Sequence, residues 1–185
     1  MHIFKTTAFT LFLILLTVTP ASAGSVAHPN AILSQNLNNP QLVGEGRLKV
    51  MFWNVFDARL HAEDGIYAPN EPFALSLTYL RELKGSHIVE KSMEEIERLS
   101  SGQIAQEVTS QWDQSLTEML PDVSKGETIT GVRTPQGTSR FYKDEQYLGE
   151  IDDPMFTQLF FSIWLGENST QPALRNQLLG LDRTS

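Results

Sequence analysis

The sequence predicts an α+β domain in which an antiparallel sheet carries helices on one face. Three observations predict it. Apolar residues recur with a period of two from Leu42 to Tyr79, the period becomes 3.6 from Ser86 to Pro121, and β character returns between Thr128 and Ile151 before a strongly apolar helix. Runs of strands followed by runs of helices, without strict alternation, segregate the two kinds of element in this way.

The first residues are read as a leader. Lys5 supplies an early positive charge, Ala8–Val18 is almost wholly apolar, and Pro20-Ala21-Ser22-Ala23 ends the run with small residues. This is the three-part pattern of a secretory signal, and its apolar run is too short to span a bilayer. A signal peptide over 1–23 with cleavage after Ala23 is therefore expected, giving a periplasmic or secreted protein with no transmembrane segment after cleavage. Residues 24–40 are polar and show no apolar period, so a flexible N-terminal arm is expected there. One domain over 41–185 follows.

Within that domain Leu48, Val50, Phe52, Phe56, Ala58 and Leu60 share one face of a long strand or bent strand pair, and Met51, Trp53, Val55, Asp57, Arg59 and His61 share the other. Gly44 and Gly46 mark a close backbone approach or a bulge. Glu63-Asp64-Gly65 is a turn signal, after which Phe73, Leu75, Leu77 and Tyr79 define a second strand. Ile88, Met93, Ile96 and Leu99 form a helical stripe, and a second helix is expected to open at Ser101 and to stop at Pro121. Arg140–Tyr142 pairs with Tyr147–Ile151 across Lys143-Asp144-Glu145. Asp153 is an N-cap and Pro154 a first-turn residue for a helix whose Met155, Phe156, Leu159, Phe160, Ile163, Trp164 and Leu165 are apolar on nearly every side. Such a helix is buried or lines a hydrophobic pocket. A last short helix ends at Gly180.

Composition narrows the chemistry. The 185 residues include no cysteine, so disulfide scaffolds, cysteine-ligated metals and a cysteine nucleophile are excluded. A formal charge of −8 argues against a nucleic-acid surface, where Lys and Arg must neutralise phosphates. The four histidines, His2, His28, His61 and His87, lie outside helical reach of one another and have no carboxylate cluster beside them, so no metal site and no cofactor is expected. There is no GxSxG elbow and no glycine-rich phosphate loop. The acid pairs Asp152-Asp153 and Glu94-Glu95 read as a helix cap and a solvated helix face. Asn168-Ser169-Thr170 is a formal glycosylation sequon.

The arginines remain. Arg47 and Arg59 lie in strands rich in aromatics, and Arg81 ends the next strand. An apolar pocket with one arginine suits a ligand with an apolar body and an anionic end, with Trp53, Tyr79 and Tyr142 available to line it. The competing reading pairs each arginine with Glu45, Asp57 or Glu82 at the sheet margin, and leaves the aromatics as core.

Several segments together resemble the chalcone isomerase-like family, in its short secreted bacterial branch. They are Leu42-Val43-Gly44-Glu45-Gly46-Arg47, Val55-Phe56-Asp57-Ala58-Arg59-Leu60, Leu77-Thr78-Tyr79-Leu80-Arg81, Gly126-Glu127, Leu148-Gly149, Phe160-Phe161-Ser162-Ile163-Trp164-Leu165-Gly166 and Leu174-Arg175 with Leu178-Leu179-Gly180. The resemblance implies an open-faced β-sandwich, a curved antiparallel sheet with helices packed on one face. It also implies either enzymes that cyclise chalcones with a strand arginine, or fatty-acid binders of the same fold that hold the carboxylate with an arginine and a tyrosine. This sequence departs from the enzymes. Leu48 stands where the arginine is usual, Arg47 precedes it, Phe56 replaces a threonine, and Ile163 replaces a polar residue. A one-residue slip reverses the face to which a side chain points, and a bulge at Gly44 or Gly46 would restore it.

Two functions follow as expectations. The first is a non-catalytic binder of a fatty acid or similar apolar ligand, with Arg47, Trp53, Tyr79 and Arg59 as binding residues. The alternative is an isomerase acting on a chalcone- or enone-like substrate, in which Arg47 stabilises a phenolate or enolate. A third reading is an interaction module with a closed core.

Overall fold

The structure, a computed structural model, describes residues 30–183. The expected signal segment therefore lies outside the described residues. Six strands, β1 (Pro40–Val50), β2 (Trp53–Glu63), β3 (Phe73–Tyr79), β4 (Thr128–Arg133), β5 (Ser139–Lys143) and β6 (Gln146–Ile151), form one sheet in sequential order, every neighbouring pair antiparallel. The helices are α1 (Asn30–Asn36), α2 (Gly85–Ser100), α3 (Gln106–Met119), α4 (Pro154–Leu165) and α5 (Pro172–Leu178), with a 3₁₀ turn at Leu181–Arg183. The α+β class and the antiparallel sheet are as the sequence predicts.

Alternation decides which side of the sheet is covered. Phe56, Ala58, Leu60 and Ala62 of β2 and Phe73, Leu75, Leu77 and Tyr79 of β3 point to one face, where they form the main core with α2, α3, α4 and α5. The mostly apolar α4 buries Phe156, Phe160, Phe161, Ile163 and Leu165 in that core. Phe161 sits 4.7 Å from Phe73 and Phe160 5.2 Å from Phe141, both edge to face, and each such pair adds to simple area burial. The Asp153 side chain caps α4, accepting from the Met155 and Phe156 backbone N–H groups at 2.9 and 3.3 Å. Its other oxygen accepts from Trp112 Nε1 at 3.0 Å, so one carboxylate ties α3 to the start of α4.

Gly44 and Gly46 permit a close approach. A Cβ on Gly44 would run into the Gln177 carbonyl oxygen, and one on Gly46 would run into the Gln177 and Leu174 side chains. Only glycine lets α5 lie directly on β1.

Three expectations are corrected. The segment 24–40, expected as a flexible arm, contains α1, and Ile32, Leu33 and Leu37 are buried against Ala74, Val132 and Tyr142 on the sheet face opposite the main core. Three apolar residues in a polar segment are too few to show a period, yet they suffice to seat a two-turn helix. Second, α3 opens at Gln106 and not at Ser101. Ser101 and Gly102 take left-handed conformations, φ 54° and 65°, that terminate α2. Third, Phe52, expected on the strand face it shares with Leu48 and Phe56, is 95% exposed, because a turn at Met51-Phe52 splits the long run into β1 and β2.

Candidate functional site

Between the core face of the sheet and helices α2 and α4 lies a cavity of about 360 Å³. Strand residues Leu48, Phe56, Leu77, Tyr79, Ile129 and Phe141 form its floor, and Ile88, Phe160, Ile163 and Trp164 come from the helices. The register explains the floor. Leu48 pairs with Phe56 and Phe56 with Tyr79, which places three side chains of neighbouring strands in one row on one face. The Phe56 and Tyr79 rings meet edge to face at 5.9 Å.

Tyr79 is the polar group deepest in this wall. Burial pushes its phenol well above the ordinary range, so the hydroxyl keeps its proton and remains a hydrogen-bond donor at every physiological pH. Among the described residues it has no hydrogen-bond partner. At the rim α2 contributes His87, Lys91, Glu94 and Glu95. Lys91 is the only lysine or arginine in the lining, and its ammonium already donates to Glu94 at 2.6 Å.

The opposite face of the sheet is polar. Arg47 lies across from Asp57 and makes a two-pronged ion pair with it, Nε–Oδ1 at 2.5 Å and Nη2–Oδ2 at 2.9 Å. The hydrogen bond from Arg47 holds the Asp57 carboxyl below the usual carboxylate range, and the same bond raises Arg47. Arg59 donates from Nε to Glu45 at 2.9 Å. Beside them is a second cavity, of about 330 Å³, roofed by Ile32 and Leu33 of α1 and lined by His61, Ser76, Thr78, Thr128 and Thr130. The hydroxyls pair across the strands, Ser76 with Thr130 and Thr78 with Thr128, each at 2.9 Å. His61 Nδ1 is buried without a hydrogen-bond partner, and burial lowers the imidazole pKa, with Arg59 lowering it further and Glu45 opposing.

The four sequence-selected residues thus separate. Tyr79 lines the apolar cavity. Arg47 and Arg59, expected there, face the other way and take the margin ion pairs that were the competing reading. The physical reason is register. The strand irregularities fall at Val43, between the pairs Leu42–His61 and Gly44–Leu60, and at Val55, between Leu48–Phe56 and Lys49–Asn54. Between them Arg47 remains opposite Asp57, and Leu48 takes the cavity side. Trp53, expected in the pocket wall, is 64% exposed, with the Arg81 guanidinium 5.1 Å from its ring centre. Tyr142 belongs to the α1 face, where its hydroxyl donates to Asn36 Oδ1 at 3.3 Å. The face that carries Leu48 and Phe56, the face that carries Leu77 and the apolar helix that carries Ile163 are the walls the sequence leads one to expect, whereas Ile88 and Lys91 of α2 were missed as cavity residues.

A family model described as chalcone isomerase-like matches residues 25–180. An uncharacterized protein of Haemophilus influenzae is 29% identical over 136 residues, covering 72% of this chain and 64% of its own length, so the match spans just under two thirds of that relative. Among solved structures, a fatty-acid binding protein of Arabidopsis thaliana superposes with a TM-score of 0.62 at 12% identity, covering 77% of this chain and 87% of that one. At that identity the likeness is one of fold.

Proposed function

This chain belongs to the chalcone isomerase-like family, and from that premise we propose that it is a non-catalytic binder of a fatty acid or similar single-chain apolar ligand. The observation that carries the reading is the cavity between sheet and helices, apolar on its floor and roof and within the size range of small-molecule sites. Each buried methylene contributes about 0.8 kcal/mol, so an acyl chain gains most of its affinity from the walls. The polar end has two places to go. Inside, the Tyr79 hydroxyl offers one donor. At the rim, a carboxylate would take Lys91 from Glu94. The isomerase reading asked Arg47 to face an enolate, and its guanidinium lies across the sheet from the cavity. The leader-like 1–23 segment supports export as part of the same reading, a periplasmic or secreted carrier.

The test is native mass spectrometry and thermal shift with saturated acids of about twelve to eighteen carbons, on the native protein and on Ile163→Trp, which fills the cavity. The expected outcome is one bound acid and a raised melting temperature, both lost in Ile163→Trp while its circular dichroism is unchanged. No bound lipid and no stabilisation at any chain length would overturn the reading.

A further inference from the structure

The most exposed apolar feature of the described residues is not at the cavity floor but at the end of the β1–β2 hairpin. Val50, Met51, Phe52 and Trp53 are consecutive, and they are 49, 85, 95 and 64% exposed. Single exposed apolar side chains are ordinary, but four in a row at a protruding turn are not. The turn chemistry points the same way. Met51 adopts φ 56°, in the left-handed region where hairpin turns favour glycine or asparagine. A bulky apolar residue held there at a conformational cost marks a place where function outweighs ease of folding.

Two further observations identify the partner's chemistry. Lys49 and Arg81 flank the tip, and neither has an ion pair among the described residues. Arg81 instead lies over the Trp53 ring. Tryptophan with a neighbouring cation is the pairing that suits the boundary between acyl chains and phosphate groups. Val50 is shared, belonging both to the exposed tip and to the lining of the apolar cavity. The tip therefore stands at the cavity entrance.

We propose that the Val50–Trp53 tip inserts into the surface of a phospholipid bilayer containing anionic lipid, with Lys49 and Arg81 on the phosphates, and so presents the cavity entrance to the membrane. Among the described residues no helix is long and apolar enough to cross a membrane. The chain as a whole is acidic, at −8, and long-range attraction to an anionic surface is therefore poor. Binding depends on apolar insertion, with the two cations as a local supplement. Delivery or extraction of a ligand through this entrance rests on the cavity reading above, whereas membrane insertion of the tip does not.

Flotation of the purified protein with vesicles of phosphatidylcholine, alone or with about one quarter phosphatidylglycerol, tests the proposal. The native protein is expected to float, more so with phosphatidylglycerol, and its Trp53 emission to shift to the blue, with Trp53→Phe as the reference. The double variant Met51→Ser/Phe52→Ser changes only exposed side chains and is expected to lose at least about tenfold in partition at unchanged melting temperature. Lys49→Gln/Arg81→Gln is expected to lose several-fold on the anionic vesicles alone. Failure of the native protein to float with either vesicle, or equal flotation of the serine variant, would overturn the proposal. A concentration-dependent dimer abolished by the serine substitutions, without flotation, would also overturn it and assign the tip to a second copy of the chain. Native mass spectrometry of the serine variant separates the two readings. Acid retained by a serine variant that no longer floats supports both readings, and flotation of the native protein without bound acid leaves insertion standing while the cavity reading fails.

Discussion

Arg47→Ala is expected to leave acyl-ligand uptake unchanged, because the guanidinium and the cavity occupy opposite faces of the same strand. Its partner Asp57 sits beside solvent, where ion pairs contribute little, so the melting temperature should hardly move. Titration of fatty acid into native and variant protein checks this, and a clear loss of affinity would return Arg47 to the site. His61 makes the opposite case, a residue with no functional signal in the sequence and a measurable consequence in the structure. Its imidazole lies beside Arg59 and Glu45, in a cavity that Asp144 and Glu145 also line, with Nδ1 buried and unpartnered. Its pKa in the folded protein is lower than the ordinary 6.5, so the unfolded chain takes up a proton more readily. Stability should therefore be level well above the ordinary value and should fall as pH drops through it toward the depressed one. Urea unfolding between about pH 8 and 5 should show that slope in the native protein and a shallower one in His61→Gln.

At the level of single elements, the clearest expectation concerns the start of α4. Removing the cap by Asp153→Ala should destabilise the fold by about 1–2 kcal/mol, since two backbone donors lose an acceptor and Trp112 Nε1 loses its partner as well. Equilibrium denaturation measures it, and Asp153→Asn, which keeps an acceptor, should recover part of the loss. The cap was legible because its signal is local, an Asp before a Pro ahead of an apolar run. The Trp112 bond was not, because nothing in the sequence links positions in different helices. The same contrast explains the rest. Strands β3 to β6 and helices α2, α4 and α5 announce themselves through period, turn residues and caps within a few positions. The β1–β2 turn does not, since Met51-Phe52 carries none of the usual turn residues and continues the apolar pattern straight through. Helix α1 is hidden for a different reason. The buried Ile32 and Leu33, with Leu37 just beyond its end, matter only once Ala74, Val132 and Tyr142 have been assembled beneath them.

For the molecule as a whole, the two faces of one sheet carry separate chemistries, and the sequence distinguishes the faces without saying which way each is turned. Leu48 with Phe56, and Leu77 with Tyr79, were legible as the apolar faces of two strands. Whether such a surface packs solid or leaves a void depends on how α2 and α4 lie across it, a property of helix placement and not of residue type. That void also sets a quantitative expectation. A ligand that binds only the folded state stabilises it by about 2.7 kcal/mol at a hundredfold excess over its dissociation constant. Isothermal denaturation at stepped concentrations of a fatty acid should therefore show a logarithmic rise in unfolding free energy, and a flat response would speak against occupancy.

The sequential order of the strands has a kinetic corollary. Four of the five strand pairings join neighbours across short connections, and these can zip up as soon as both strands exist. The seam between β3 and β4 is different, because the entire α2–α3 pair is threaded between them, pinned at its base by the Leu83–Val123 bridge. Closing that one long loop carries the largest chain-entropy cost in the sheet, so the two halves of the meander can form early and their zippering should govern the rate at which the native protein appears.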